Sequence, residues 1–199
     1  MQNNIQTSFS IKDLENLSGV KAHTIRIWEK RYKLLTPKRS NTNIRTYDIQ
    51  NLKRLLNLAY LNKSGFKISK LGELSEIEIA AKVQELIVSK NYNDYAHGMF
   101  KLAMLNFDTS LFDNTYHKLL QESSFRDIFL NVFIKLLDEI GLLWQNNTIQ
   151  PVHERFISNL ITQKVLINTE KTQYLEHTKE KSFILFLPLN ETHELGLLF

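Results

Sequence analysis

The chain has 199 residues, of which 43% are hydrophobic and 23% charged, a composition typical of globular proteins that bury a core. The lack of cysteine excludes a disulfide framework and a thiolate metal site, and it indicates a reducing compartment such as the cytoplasm. No run approaches the roughly 20 apolar residues that span a bilayer, and the amino terminus is not that of a signal peptide. We therefore expect no membrane partner, and the net charge of +4 suits a nucleic acid or another anionic surface.

Two helices separated by a short turn are predicted near the amino terminus. Residues 9–17 have apolar side chains on one helical face, and Gly19 in the following break suits a left-handed turn. A second, basic helix over 21–32 places Ile25 and Trp28 on its inner face. A helix, a glycine-containing turn and a basic helix form the helix-turn-helix arrangement.

Residues 20–47 concentrate positive charge. They contain eight Lys or Arg against a single acid, Glu29, whereas the remainder of the chain is net acidic. Residues 36–47 predict two short strands joined by a polar turn, which together form a wing with phosphate-bonding side chains. Local cationic charge is the pattern of a protein that binds the phosphate backbone. A solvated basic helix beside a hairpin is the simpler alternative, and the preceding glycine turn argues against it.

The stretch FSIKDLENLSGVKAHTIRIWEKRYKLLTPKRSNTNIRTY resembles the N-terminal winged-helix domain of MerR-family transcription regulators, and the resemblance covers residues 8–75. The metal-sensing branch of that family has two consecutive aromatic residues after the recognition-helix Arg. Here Arg26 is followed by IWEKRY, a form similar to the subgroup that carries a cobalamin-binding module behind the DNA-binding head.

The resemblance implies a set of DNA contacts. Thr24 and Arg26 would lie in or near the major groove, and Arg39 and Arg45 on the wing would clamp phosphates. The full set of expected DNA-binding residues is His23, Thr24, Arg26, Lys30, Arg31, Lys38, Arg39, Arg45 and Tyr47. For Tyr47, which directly precedes a good helix N-cap, the alternative is a hydrophobic staple.

The rest of the chain is predicted to be mainly α-helical. Residues 76–170 form four or five helices, of which 125–144 is the most apolar and is expected at the centre of a bundle. A polar linker follows, and SFILFLPL at 182–189 is predicted to be a buried strand of a parallel sheet. The predicted fold is a winged helix-turn-helix head at 1–75, a helical bundle at 76–170, and a linker with the vestigial first strand and loop of a doubly wound α/β domain at 171–199.

The order of bundle, linker, strand and Glu191-x-His193-x-x-Gly196 resembles cobalamin-binding modules. The resemblance implies that His193 ligates the cobalt of cobalamin from below. It also implies that Glu191 lies near that ligand and that Gly196 allows a close backbone approach.

Within the bundle, the resemblance extends to light-sensing regulators that carry a Trp, nine further residues and then Glu-His around the adenosyl group. Trp144 and Glu154 keep this spacing, but Arg155 stands where these relatives have His. His153 lies one position early and therefore points about 100° away on a helix. Because the upper-face His is implicated in the light-adapted state of relatives, Arg155 puts light sensing in doubt even if cobalamin binds.

Length limits the corrinoid site. Each βαβ unit of a doubly wound sheet takes about 30 residues, and only one strand and one loop are predicted after residue 181. We therefore expect a shortened chain or a fragment of a longer regulator. Adenosylcobalamin is expected to bind the full-length parent and not this chain alone, and residues 182–199 are expected to expose apolar surface.

The sequence thus predicts a DNA-binding transcription regulator, not an enzyme, whose parent responds to a corrinoid. Its partners would be an inverted-repeat duplex and further copies of the chain, as a homodimer or a higher homo-oligomer. One alternative is a regulator with the same head that has lost cobalamin and senses another ligand or a protein partner. Another is the corrinoid-protein subunit of a methyltransferase, which has no evident use for a winged helix.

Overall fold

A computed structural model of the chain describes residues 8–89, 92–172, 184–189 and 195–199. Two short antiparallel strands, β1 (Lys38–Arg39) and β2 (Arg45–Thr46), form the sheet, and the other elements are helices. The helices are α1 (Ile11–Ser18), α2 (Ala22–Tyr32), α3 (Ile49–Lys63), α4 (Ile68–Leu71), α5 (Glu76–Ser89), α6 (Asn93–Asn106), α7 (Thr109–Glu122), α8 (Phe125–Ile128), α9 (Ile134–Gln145), α10 (Pro151–Thr172) and α11 (Leu195–Leu198). The predicted mainly α fold with a winged head is confirmed.

Local signals fix the first two helices. Ser10 and Asp13 form a capping box, in which each side chain bonds the other residue's backbone N–H at the start of α1. Gly19 ends α1 with φ 73°, a left-handed conformation that glycine adopts without steric cost. Leu17 and Ile25, both fully buried, then pack between the two helices and the rest of the head.

A continuous helical run forms the centre of the bundle. It begins as α8, passes through a π-helical turn at Phe129–Phe133, and continues as α9. Val132 and Phe133 in the π turn are fully buried, and the Phe133 ring lies 5.5 Å from that of Phe100 on α6. The sequence predicted this run as one regular helix, and the π turn is a departure that periodicity alone does not reveal.

The head and the bundle share one hydrophobic core. Helix α3 of the head packs against α5 and α6, and the buried residues form a cluster that extends from Phe9 to Val165. Among the described residues, no helix is long and apolar enough to cross a membrane.

The prediction of a buried strand at 182–189 is wrong for the part that the structure describes. Residues 184–189 form no strand, and Ile184 and Leu189 are 90% and 93% exposed. A buried parallel strand needs neighbouring strands to accept its backbone hydrogen bonds. The described residues supply none beside this segment, so the expected exposed apolar surface is what appears. Gly196, predicted in a loop, lies in the short helix α11.

Candidate nucleic-acid interface and corrinoid-facing surface

The second helix of the head presents its cations to solvent. Trp28 and Ile25 turn inward, which leaves Arg26, Lys30 and Arg31 on the exposed faces of α2. In the first turn, His23 is exposed and Thr24 is half-buried, with its hydroxyl 3.5 Å from the His23 ring. This arrangement is the one required of a recognition helix, whose first-turn side chains meet base edges.

The wing follows as a hairpin with a tight polar turn. Strands β1 and β2 pair Lys38 with Thr46 and Arg39 with Arg45, so the two arginines lie opposite one another. Asn43 in the turn adopts φ 62° and accepts a 2.7 Å hydrogen bond from Arg39. Lys38 and Arg39 are exposed, and Arg45 is half-buried.

A single acid holds the wing to the helix. Glu29 on α2 accepts hydrogen bonds from Arg45 Nε at 3.0 Å and from the Tyr47 hydroxyl at 2.9 Å, and Arg39 lies 3.6 Å away. The hydrogen bond from Arg45 to Glu29 raises the pKa of the Arg45 guanidinium. Burial, together with the hydroxyl's own hydrogen bond to Glu29, raises the pKa of Tyr47. Glu29 thus fixes the wing relative to α2.

These contacts change the interpretation of Tyr47. It is 1% exposed, its hydroxyl is engaged by Glu29, and its backbone pairs with Phe9 on both sides. Tyr47 therefore has no surface to offer a duplex in this structure, and it positions the wing instead. Of the other eight predicted DNA-binding residues, Thr24 and Arg45 are half-buried and the remaining six are exposed.

The predicted adenosyl-facing residues lie on either side of the turn between α9 and α10. Trp144 near the end of α9 is 51% exposed. Leu142 on the same helix is 58% exposed, and Val152 at the start of α10 is 39% exposed. Glu154, in the first turn of α10, is half-buried and accepts a 2.8 Å bond from the Ser158 hydroxyl. An exposed indole and a carboxylate are side chains that suit a large ligand with both apolar and polar parts. Arg155 beside them is exposed.

His153 points the other way, as its position on the helix predicts. It is fully buried, its ring stacks on Phe107 at 5.0 Å, and its Nδ1 accepts a 3.1 Å hydrogen bond from the Gln150 backbone N–H. Burial lowers the pKa of this imidazole. His153 is therefore a core residue and is not available to the surface that carries Trp144.

The lower-face residues receive no structural test. Glu191 and His193 lie outside the described residues, so the predicted cobalt ligand stays a prediction. A side chain added at Gly196 would meet open space, so no close backbone approach is visible at this glycine. The described part of the chain holds no cluster of three or more His, Cys, Asp or Glu that could bind a metal ion.

A cavity of about 630 Å³ lies where the head meets the bundle. Its lining includes the α1–α2 turn and a charged group on α6 and α9, in which Lys101 Nζ lies 2.8 Å and His97 Nδ1 3.6 Å from Glu139. His97 and Lys101 lower the pKa of the Glu139 carboxyl to about 2. This charged group stabilises the contact between α6 and α9.

Comparison with known proteins identifies the head first. Residues 9–76 match the family of MerR HTH family regulatory proteins, and this range contains α1, α2, the wing and α3. The helix-turn-helix head of the chain is therefore similar to those of the MerR family. Residues 98–167 match a second family, the B12 binding domain, and this range contains Trp144 and Glu154.

One relative matches both parts together. The HTH-type transcriptional repressor CarH of Myxococcus xanthus is 24% identical over 200 aligned residues, which cover 97% of this chain. The chain spans 66% of the length of that relative. The chain therefore matches the helix-turn-helix family in its head and the B12 binding domain in its helical region, and the predicted boundaries at residues 75 and 170 stay predictions.

Sequence reasoning missed two positioning contacts. Glu29 was noticed only as the single acid among eight cations, and that isolation was itself a signal that it holds some of them. The hydrogen bond from Asn16 to Thr148 joins residues 132 positions apart, and no local sequence pattern predicts it.

Proposed function

We propose that this protein is a DNA-binding transcription regulator whose binding to a duplex is controlled by a corrinoid. The observation that carries the first half is the geometry of Glu29, which holds the cationic wing beside the exposed cations of α2. Two basic elements in a fixed relation can follow a phosphate backbone while first-turn side chains reach into the major groove. The named function of the relative, a transcriptional repressor, agrees with this role and not with catalysis.

In this proposal Arg26 contributes to sequence reading and the wing cations contribute to affinity. Lys30, Arg31, Lys38, Arg39 and Arg45 would contact phosphates, which orient the protein and carry no base information. Because a two-fold arrangement of heads reads a two-fold operator, the DNA partner would be an inverted repeat and the binding unit a homodimer or higher homo-oligomer.

The test of DNA binding replaces one arginine on α2 and one on the bundle. Arg26→Ala should weaken binding to the selected operator by about 10-fold or more, the discrimination expected of a side chain that contacts a base. Arg126→Ala removes the same charge from the exposed surface of α8 and should leave the affinity within about twofold. Equal affinities of the Arg26 variant and the parent would remove α2 as the recognition helix.

The corrinoid half rests on Trp144 and Glu154 and on the match of this region to the B12 binding domain. When bound, a cobalamin would supply a large, coloured and photolabile ligand. This chain's own residues would form the upper wall of its site, with the exposed indole of Trp144 against the ligand and the Glu154 carboxylate beside it. His193 would supply the lower ligand of the cobalt in a complete domain.

Absorbance spectra test this half in the full-length protein. Adenosylcobalamin should co-elute with the parent protein, and Trp144→Ala should reduce the bound fraction at limiting ligand. His193→Ala should change the visible spectrum if this imidazole ligates the cobalt. A parent protein that elutes without adenosylcobalamin would favour the alternative that Arg155 suggests, a regulator with the same head that senses another ligand or a protein partner. Retention and spectra that are unchanged in both variants would remove Trp144 and His193 from the site.

A further inference from the structure

One side chain of the DNA-binding head reaches the turn between α9 and α10 of the bundle. Asn16 on α1 donates a hydrogen bond from Nδ2 to the Thr148 hydroxyl at 2.7 Å. Thr148 is only 2% exposed, so its hydroxyl meets Asn16 in a partly buried contact and not in bulk water. The bond joins the first helix of the head to the turn between α9 and α10.

That turn is tied firmly to the bundle on its other side. The backbone N–H of Thr148 donates to the Leu143 carbonyl at 2.9 Å, and that of Asn147 donates to the Trp144 carbonyl at the same distance. The Gln150 N–H closes the turn on His153 Nδ1 at 3.1 Å. The turn therefore follows any displacement of the end of α9 or the start of α10.

The same two helix ends carry the exposed surface of the bundle. Trp144 lies within the last turn of α9, and Glu154 lies within the first turn of α10. A ligand that displaces either residue would also displace the turn, because backbone hydrogen bonds join the turn to the ends of both helices. Asn16 is then the next residue along this path, and α1 packs directly on the recognition helix α2 and on α3.

We propose that Asn16 and Thr148 are positioning residues that couple the Trp144–Glu154 surface to the DNA-binding head within a single chain. The proposal rests on the proposed function and names how its two halves communicate. A 2.7 Å bond is lost when either partner moves by about 1 Å, because hydrogen bonds weaken steeply with distance and angle. In this proposal the turn has two states, one bonded to α1 and one released from it. A ligand that binds one state more tightly shifts the population of the protein toward that state.

Coupling of this kind is reciprocal, so it can be measured from the DNA side. The experiment follows hydrogen exchange of the amides at 146–154 in the full-length protein, with and without a saturating operator duplex. In the wild type, the duplex should slow exchange at this turn by about fivefold or more, the lower end of common coupling strengths. Thr148→Val, which removes the acceptor and keeps the shape, should abolish the change, and Thr148→Ser should retain it.

A matched control separates coupling from general damage. Thr162→Val removes another α10 hydroxyl, one that donates to the Ser158 carbonyl of its own helix, and should leave the duplex effect intact. The Thr148→Val protein should still bind the duplex within about threefold of the wild type, since Thr148 lies on no predicted DNA surface.

The outcomes divide cleanly. Slowed exchange that persists in Thr148→Val, or a duplex that binds without affecting the turn in the wild type, overturns the coupling and leaves the proposed function standing. A folded protein that binds no duplex overturns the proposed function, and the coupling falls with it. Loss of the effect in Asn16→Ala as well as in Thr148→Val, with duplex binding retained, supports the proposal.

Discussion

At the scale of single residues, Glu29 decides how the cations of the head can act. It is the acid on which Arg45, Arg39 and Tyr47 converge, and its side chain is only 11% exposed. Without it, the two arginines would repel each other across the hairpin, since they face one another in the strand register. Glu29 therefore converts a region of like charge into an ordered surface.

Glu29→Gln keeps the shape of the side chain and removes its charge. We expect the free energy of unfolding to fall by about 1.5–3 kcal/mol, the usual range for hydrogen bonds to a charged group. We also expect the preference for operator over random duplex to shrink, because the wing loses its fixed position. Urea denaturation and competition binding measure the two effects. Glu85→Gln, at an exposed position of α5, serves as the control, and an equal effect in both variants would contradict the role of Glu29.

His153 makes stability depend on pH. Burial lowers the pKa of its imidazole below the ordinary 6.5, so the folded state favours the neutral ring and the unfolded state binds the proton more readily. Stability is therefore complete above pH 6.5 and declines as the pH falls below that value. Urea denaturation from pH 8 to 5 should show this decline, and His153→Gln should flatten it. His117→Gln, at an exposed position of α7, should not.

Glu139 causes a second loss of stability, at lower pH. The pKa of Glu139 is lowered to about 2 from 4.5, so its contribution is present above pH 4.5 and is lost as the pH falls toward 2. The contribution of Glu139 does not change above pH 4.5, so a flattened curve between pH 6.5 and 5 in the His153 variant can be assigned to this histidine.

At the scale of elements, the helices and turns that depend on neighbouring residues in the sequence were predicted correctly. The helix-turn-helix follows from the left-handed turn at Gly19 and the inward spacing of Ile25 and Trp28, all of which the structure retains. The wing followed from its polar turn. What could not be predicted depends on partners distant in the sequence: the π turn in the central helix, the contact of Asn16 with Thr148, and the absence of strand structure at 184–189.

The same contrast holds for the site. The exposed cations of α2 were predictable because the apolar stripe fixes which faces remain outside. The engagement of Tyr47 was not, because a tyrosine beside an N-cap suits both a surface and a core role. His153 was correctly separated from Glu154 by helix geometry, since neighbouring residues on a helix point about 100° apart.

The start of α3 joins the head's largest helix to the segment that leads into the wing. Asp48 caps the helix by accepting from the Asn51 backbone N–H at 2.9 Å, and Asn51 in turn accepts from the Thr36 N–H at 2.8 Å. Asp48→Ala should lower the free energy of unfolding by about 1 kcal/mol. Asp48→Asn, which also caps well, should recover most of that loss in urea denaturation. Equal losses would show that the cap is not the cause.

At the scale of the whole molecule, the head and the bundle are one folding unit. The buried cluster runs through both, and the two tryptophans of the chain lie one in each part, Trp28 in the head and Trp144 in the bundle. Single-tryptophan proteins made by Trp144→Phe and Trp28→Phe therefore report on the two parts separately. Each should show one urea transition, and adding far-ultraviolet circular dichroism should give the same midpoint as the fluorescence within each protein.

An early transition in the Trp28 reporter, with helical structure of the bundle still intact, would contradict the shared core. It would also remove the physical basis for the proposed communication between the Trp144–Glu154 surface and the head, which depends on a packed path or a bond such as that from Asn16 to Thr148.

The central claim is that the charged head of this chain grips duplex phosphates, and the salt dependence of duplex binding tests it most directly. If Lys30, Arg31, Lys38, Arg39 and Arg45 each neutralise one phosphate, log Kobs should fall linearly with log salt at a slope of about −4.5 per protomer. Fluorescence anisotropy of a labelled duplex over a range of salt concentrations gives this slope. A folded protein that binds no duplex at low ionic strength, or that binds with an affinity independent of salt, would contradict the account.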